Sequence, residues 1–283
     1  MQSGYRGRLA PSPTGFLHLG HARTFWTAQE RAVAAGGTLV LRNEDLDPAR
    51  SRAEFVTAMI EDLRWFGFRW QEGPDCGGPF GPYSQSERRD FHTQGFETLK
   101  AKGAVYPCQC SRQDVLRALQ APHGADDEPV YPGTCRPAPN ATRPQFQQGI
   151  NYRFRVPDGE TVGFEDKNLG PQSFTAGKDF GDFLIWRKDG LPSYQLACVV
   201  DDADTNITEV VRGRDLLKST ARQILLQRAL DLPTPAYFHT RLLTDEHGTR
   251  LAKRHDALAI RTLRQQRLTP AEVLGMTTVT SDS

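Results

Sequence analysis

His18-Leu19-Gly20-His21 sets two imidazoles around a glycine, directly after the turn-rich run Ala10-Pro-Ser-Pro-Thr-Gly15. Glycine lets a phosphate approach the backbone, a helix start supplies unpaired N–H groups, and imidazoles can donate to a pentavalent phosphorus. His18, Gly20 and His21 therefore suit a site that holds ATP phosphates, although an incidental turn has the same short pattern. Around them, Arg8 lies just before the turn, Ala10 and Ser12 lie on it, and Glu44 ends an apolar run in Leu41-Arg-Asn-Glu-Asp-Leu-Asp47. An amino acid substrate needs an acid for its ammonium, and an acidic side chain needs a fixed cation. The planar fork of arginine matches a carboxylate bidentately. Taken singly, Arg8 or Glu44 is equally well one half of a surface ion pair, worth about 0–1 kcal/mol.

Three further patterns bear on chemistry. Cys108-Gln-Cys110 with Tyr131-Pro-Gly-Thr-Cys135 offers three thiolates and a phenolate. Four protein ligands around zinc make a closed, structural site; packed free thiols fit the same spacing. His123, in a Pro/Gly loop, ranks below Tyr131 as the fourth ligand, and Cys76 and Cys198 have no assigned role. Gly177-Lys178 is not a Walker loop, because position 172 lacks the earlier glycine and Asp179 follows the lysine. Asp202-Ala-Asp204-Thr-Asn206 imitates the start of a calcium loop, but Ile207 stands where glycine is needed and Gly213 where a bidentate glutamate is needed.

The elements that must position these residues follow from periodicity. Gly7 to Ala10 reads as a strand, His21 to Ala35 as a helix and Thr38 to Arg42 as a buried strand. Pro48 is expected near the first turn of a helix running to Phe66, where proline is tolerated. This alternation implies βαβ units with a parallel sheet, whose active site lies at the carboxyl ends of the strands. From Cys108 to Asn140 the texture turns to Cys, Pro and Gly, the mark of an insertion without its own core. Asp182–Trp186 and Ile207–Val211 read as strands, and Arg214–Leu230 as a helix stopped by Pro233. Tyr237 to Thr249 reads as a strand and turn with His247-Gly248 at the bend. Thr269-Pro270 starts a last helix before a polar tail.

Lys plus Arg number 35 against 34 Asp plus Glu, so the net charge of +1 does not advertise a polyanion partner. From Arg241 to Arg267, however, seven basic residues face three acids, a stretch that can meet phosphates or form a solvated helix face. No apolar run is long enough for a membrane span, and Met1-Gln-Ser-Gly-Tyr-Arg lacks the core of a signal peptide. Five cysteines without a secretion signal point to the reducing cytoplasm. A monomer without a membrane partner is expected.

In this setting, Arg8 to Arg23 resembles the signature of class I aminoacyl-tRNA synthetases, and its Ala-Pro-Ser-Pro-Thr-Gly lead-in resembles the bacterial glutamyl branch. The resemblance puts Arg8 on the substrate's acidic side chain and Glu44 on its amino group. Tyr194 in Leu191-Pro-Ser-Tyr and Arg212 in Val-Val-Arg-Gly-Arg-Asp215 match the family's other substrate contacts. Arg250-Leu-Ala-Lys-Arg254 takes the place of the family's Lys-Met-Ser-Lys-Ser loop, with Arg250 for the first lysine and Ala252 for the serine. Lys253 keeps the cation that neutralises the leaving pyrophosphate, while Mg²⁺ attends the ATP phosphates. The glutamyl-type insertion also carries the Cys-x-Cys, Tyr, Cys pattern, which implies structural Zn²⁺ at Cys108, Cys110, Tyr131 and Cys135. A buried arginine facing a glutamine amide would lose its ionic partner, at about 3 kcal/mol or more, so L-glutamate is the expected substrate.

The implied architecture is α/β: a class I synthetase Rossmann-like parallel sheet with an inserted zinc-bearing α+β subdomain, a short C-terminal helical segment and no anticodon-binding domain. Its expected bounds are 1–100 and 191–240 for the two catalytic halves, 101–190 for the insertion and 241–283 for the loop and final helices. The resemblance reaches about Ala259, and 24 residues follow, where glutamyl-tRNA synthetases continue with a helical anticodon-binding region. The chain therefore resembles the glutamyl-queuosine tRNA(Asp) synthetases, truncated paralogues of the glutamyl enzymes. These activate glutamate with ATP in the absence of tRNA, then esterify the cyclopentenediol of queuosine at the wobble position of tRNA(Asp). The partner would be that anticodon loop, with Arg214, Lys218 and the 250–267 stretch as unassigned contacts. A piece of a glutamyl-tRNA synthetase charging a tRNA 3′ end and a non-catalytic tRNA- or amino-acid-binding regulator are the alternatives.

Overall fold

The computed structural model describes residues 4–111, 113–114, 130–138, 146–241 and 259–275. His123, His247, Gly248, Arg250, Ala252 and Lys253 lie outside them.

Strand β1 (Arg6–Leu9) runs parallel to β2 (Thr38–Leu41), in register from Arg6 opposite Thr38 to Leu9 opposite Leu41. The crossover between them is α1 (Leu19–Ala34), which buries Leu19, Ala22, Phe25, Ala28 and Ala32, an apolar stripe at three- and four-residue spacing. Gly37 returns the chain beneath β1. A Cβ there would lie 2.4 Å from the Tyr5 carbonyl oxygen, so no larger residue fits this turn. Helix α2 spans Ala53–Phe66 and stops at Gly67 with φ +99°. Pro48 lies ahead of its first turn and not within it. Asp47 folds residues 47–51 into a turn, its carbonyl accepting from the Arg50 and Ser51 N–H groups and its side chain from Ala49. Extended Arg52 then separates that turn from the helix.

After α3 (Arg89–Ala101), strands β3 (Val105–Cys108), β4 (Asn151–Phe154) and β7 (Phe183–Trp186) form an antiparallel sheet in the order β3-β4-β7. Between β4 and β7, the hairpin β5 (Thr161–Asp166) and β6 (Gly170–Thr175) belongs to another sheet, β6-β5-β9-β8. That sheet includes β8 (Glu209–Gly213) and β9 (Ala236–Thr240), which run parallel. The stretch 101–190 is thus not free-standing, because Asp166 at the end of β5 pairs with Tyr237 of β9.

Strand β1 lies beside β8: the Thr208 N–H donates to the Arg6 carbonyl at 2.9 Å and the Arg6 N–H to Thr208 Oγ1 at 2.8 Å. Strands β2, β1, β8 and β9 therefore sit side by side, and their carboxyl ends gather residues 10–20, 42–44, 212–216 and 241. Helix α4 (Tyr194–Asp204) starts at Ser193, whose side chain accepts from the Leu196 N–H. Helix α5 (Leu217–Leu230) follows a short 3₁₀ turn at Arg214–Leu216 instead of beginning at Arg214.

Helices α6 (Ile260–Gln265) and α7 (Pro270–Gly275) close the described chain. Thr269 and Glu272 cap α7 reciprocally, the Thr269 N–H donating to Glu272 Oε2 at 2.7 Å and the Glu272 N–H to Thr269 Oγ1 at 3.3 Å. One apolar core, including Leu9, Phe25, Leu41, Leu63 and Ile260, joins α1, α2 and α6 to β1 and β2. Another, including Phe96, Val105, Phe183, Leu196 and Leu225, joins the antiparallel sheet to α3, α4 and α5. Among the described residues no helix is long and apolar enough to cross a membrane.

Candidate active site

One cavity of about 540 Å³ brings together Arg8, Ala10, Ser12, Glu44, Tyr194 and Arg212 with His18, Gly20 and His21. These residues come from β1, the loop after it, the end of β2, the start of α4, β8 and the start of α1. The cavity opens where the parallel strands end, the position that an open α/β sheet reserves for ligands.

Two cations and two carboxylates stand at its floor, with Arg8 and Glu44 lining the cavity and Arg42 and Asp202 behind them. Arg8, 5% exposed, donates from Nη1 to the Val211 carbonyl at 2.9 Å, and its Nε lies 3.4 Å from Asp202 Oδ1. Arg42 donates to the same Asp202 oxygen at 2.5 Å and to Glu44 Oε1 at 2.9 Å. Burial opposes the charge on Arg42, but Asp202 and Glu44 outweigh it and hold its pKa well above the ordinary arginine value. The order Arg8–Asp202–Arg42–Glu44 alternates in sign, so each buried charge touches an opposite one. Backbone bonds fix the same corner, with the Arg42 N–H on the Leu9 carbonyl at 2.8 Å and the Glu44 N–H on the Pro11 carbonyl at 3.0 Å.

Glu44 also accepts from Cys198 Sγ at 3.5 Å. Burial and the Glu44 charge raise the Cys198 pKa well above its ordinary value, so this thiol is a neutral donor. Both contacts fall on Oε1, which leaves Oε2 available to an ammonium. Cys198 stands one helical turn after Tyr194 on α4, a spacing that puts both on one helix face. Tyr194 keeps 37% of its surface exposed at the cavity.

At the other end, the imidazoles of His18 and His21 stack with centroids 4.1 Å apart. His18 precedes the first turn of α1, and its carbonyl accepts from the His21 N–H at 2.9 Å. Desolvation lowers both histidine pKa values, and for His21 the neighbouring His18 lowers it further. Both shifts favour neutral rings at pH 7, each of which carries one N–H to donate. Thr24 Oγ1 meets Thr240 Oγ1 at 3.0 Å, tying α1 to β9 at the cavity wall. Arg241 also lines the cavity, and Ala259 forms a bridge with His18, supported by the Ile260 N–H on the Leu17 carbonyl at 2.7 Å. The residues flanking 242–258 on each side thus both lie at this site.

A second cluster sits at the end of β3. The Sγ atoms of Cys108, Cys110 and Cys135 lie within 4.8 Å of one another, and all three thiols are free. The Tyr131 hydroxyl is 3.5 Å from Cys108 Sγ and 3.6 Å from Cys110 Sγ. Four ligands at tetrahedral zinc distances require neighbouring sulfurs about 3.8 Å apart, so this donor set fits the ion. Arg153 supplies a nearby cation, donating to Cys108 Sγ at 3.2 Å and lying 3.8 Å over the Tyr131 ring.

Arg42, Asp202 and Cys198 escaped the sequence reading. Their signal was faint: Asp201-Asp202 interrupts the apolar run Leu196-Ala-Cys-Val-Val200, and carboxylates at such a place demand partners. The calcium-like spacing, set aside on sequence grounds, is committed otherwise. Asp202 holds Arg8 and Arg42, and Asp204 accepts from Arg88.

Residues 5–278 match the model of the catalytic domain of class I tRNA synthetases for glutamate and glutamine. A glutamyl-Q tRNA(Asp) synthetase of Symbiobacterium thermophilum is 49% identical over 273 residues, covering 95% of this chain and 84% of that protein. One from Nitratidesulfovibrio vulgaris is 46% identical over 276 residues with the same shares. The crystal structure of a glutamate tRNA ligase from Elizabethkingia meningosepticum in complex with its amino acid superposes with a TM-score of 0.75 at 27% identity, over 89% of this chain and 52% of that one. The strand order, the cavity at the strand ends and these matches agree: the chain belongs to the class I tRNA synthetases of the glutamate and glutamine group, as their catalytic domain.

Proposed function

We propose that this protein activates L-glutamate with ATP and transfers it to the queuosine base of tRNA(Asp). The observation that carries the reading is the single cavity in which Arg8, Glu44, Tyr194 and Arg212 face the same space as His18 and His21. The names of the two relatives that this chain nearly spans support the acceptor.

Glu44 Oε2 takes the substrate ammonium, while Arg8 takes the side-chain carboxylate and Arg212 adds a second cation. The α-carboxylate then attacks the α-phosphorus in line, forming the adenylate as pyrophosphate leaves. His18 and His21 donate to the charge that develops there, with Lys253 as the cation for pyrophosphate and Mg²⁺ carried on the ATP phosphates. In the second step a hydroxyl of the cyclopentenediol attacks the activated carbonyl carbon, and AMP leaves with the bonding electron pair, its phosphate taking up the hydroxyl proton. A vicinal cis-diol replaces the terminal ribose diol, so the same adenylate serves. No covalent enzyme intermediate is needed; positioning and fixed charge supply the rate. Arg214, exposed beside the cavity-lining Asp215, is a candidate contact for the anticodon loop.

Incubation with ATP, labelled glutamate and two tRNA(Asp) pools, with and without queuosine, tests the reading. Label is expected only on the queuosine pool, and it should survive removal of the 3′ end. Label on the 3′ end of tRNA(Glu) would overturn the acceptor. Absence of glutamate-dependent ATP–pyrophosphate exchange would point to a binding protein instead.

Cys108, Cys110, Tyr131 and Cys135 would hold a structural Zn²⁺, which supplies cross-linking of β3 to residues 131–135 and no reaction step. Purified protein should contain about one zinc per chain, and Cys110→Ser should lower both metal content and thermal midpoint. Metal-free protein with an unchanged midpoint in the variant would refute the assignment.

A further inference from the structure

Arg212 lines the cavity from the end of β8, yet its own anchoring comes from two other strands and a helix. Its Nε donates to His239 Nε2 at 3.4 Å and its Nη2 to Thr220 Oγ1 at 2.6 Å. His239 sits on β9, and its Nδ1 lies 2.5 Å from Oδ2 of Asp166, the last residue of β5. The side chains of Asp166 and His239 are both fully buried. We propose that Asp166 and His239 are positioning residues that aim the Arg212 guanidinium at the substrate, with Thr220 closing the line.

The protons along this line can be placed one by one. Asp166 accepts from the backbone N–H groups of Asn168 at 3.0 Å, Leu169 at 2.9 Å and His239 at 3.1 Å. Burial works against its charge, but the His239 ring and those N–H groups prevail and keep its pKa below the usual carboxylate value. An ionised carboxylate only accepts, so the imidazole proton must stand on Nδ1. Nε2 is then a lone pair facing Arg212, a group that has donors alone. A protonated ring would turn a second donor toward the guanidinium. Burial and the Arg212 charge hold the His239 pKa down to about 4, against the pull of Asp166. The titratable and charged groups around the ring are Asp166 from β5, Arg212 from β8, Arg8 from β1 and Tyr237 from its own strand. Thr220, on α5, accepts from Arg212 and lies 2.9 Å from the same Nε2, with the Leu216 carbonyl at 3.2 Å as an alternative for its own proton. Asn168 adds a brace, donating from Nδ2 to the His239 carbonyl at 2.8 Å.

This inference rests on the reading of Arg212 as a glutamate contact. Its consequence is that Asp166, in the hairpin inserted between β4 and β7, sets affinity for a ligand bound at the end of β8.

The test compares wild type with Asp166→Asn and Thr220→Val in glutamate-dependent ATP–pyrophosphate exchange. Thermal midpoints are followed in parallel, and the imidazole ¹⁵N spectrum is recorded on the wild type. The wild type is expected to show His239 in the Nδ1–H tautomer at neutral pH. In Asp166→Asn the amide can donate to Nδ1 and force the proton to Nε2, donor against donor with Arg212. The KM for glutamate should rise about tenfold or more in both variants, as buried donors lose their acceptors, while the KM for ATP stays at the wild-type value. A role in folding alone would lower the midpoint without splitting the two KM values. If Asp166→Asn does not fold, Thr220→Val, which matches threonine in shape, decides. An Nε2–H tautomer in the wild type, or a wild-type KM for glutamate in both variants, overturns the inference while leaving the glutamate reading intact. Wild-type exchange that does not depend on glutamate, or that survives Arg212→Ala, overturns both.

Discussion

Arg8→Gln should raise the glutamate concentration for half-maximal ATP–pyrophosphate exchange by about a hundredfold or more, with the KM for ATP unchanged. Glutamine keeps a donor near the Val211 carbonyl but offers no charge to a buried carboxylate. Leaving such a carboxylate unpaired costs about 3 kcal/mol or more, and each 1.4 kcal/mol is about a factor of ten. The floor of the cavity limits collateral damage, because Asp202 keeps Arg42 at 2.5 Å after Arg8 is gone. A rise of less than about tenfold would show that Arg8 does not read the substrate side chain, and the case for an acidic amino acid would fail with it. Glutamine should be rejected on the same ground, since its neutral amide would meet the cation without an ionic partner.

The second large effect belongs to Asp202. Asp202→Asn removes the charge between Arg8 and Arg42 and leaves two guanidiniums in a site where Arg42 is 2% exposed and Arg8 5%. Breaking one side of a buried ionic group costs about 3–5 kcal/mol, a fall in midpoint of roughly 5–8 °C for a chain of this size. In denaturant the transition midpoint should drop without a change in slope. Arg52→Ala is the control. Arg52 and Glu54 are 69% and 62% exposed, and their pair at 3.3 Å should be worth less than about 1 kcal/mol. If Asp202→Asn stays within about 1 kcal/mol of wild type, the alternating charge order of the floor is not what holds it.

Much of this site is legible in the sequence because its parts are local. The 3.6-residue stripe of α1 and the buried run of β2 place His18, His21 and Glu44 at a strand–helix junction and a strand end without knowledge of the rest. The Cys108, Cys110, Tyr131 and Cys135 set is visible for the same reason, two close pairs joined by an insertion. What escapes is pairing at a distance. Asp202 meets Arg42 across 160 positions and His239 meets Asp166 across 73. Either acid, read alone, is another polar residue at the edge of an apolar run. The start of α2 was misplaced because helix tolerance for Pro48 competes with Asp47, whose side chain and carbonyl capture the next N–H groups first. The hairpin β5–β6 escaped as well: its own register is local, but the placement of its end beside β9 rests on one pair, Asp166 with Tyr237, far downstream.

The bridge between His18 and Ala259 gives helix α6 a share in the site. The Ile260 N–H also donates to the Leu17 carbonyl at 2.7 Å, and Ile260 belongs to the same apolar core as Leu19, Phe25 and Leu63. Helix α6 is therefore a buttress. The backbone that carries the first histidine is held from behind by a segment remote in sequence, so the quality of that packing is passed on to the placement of the ring.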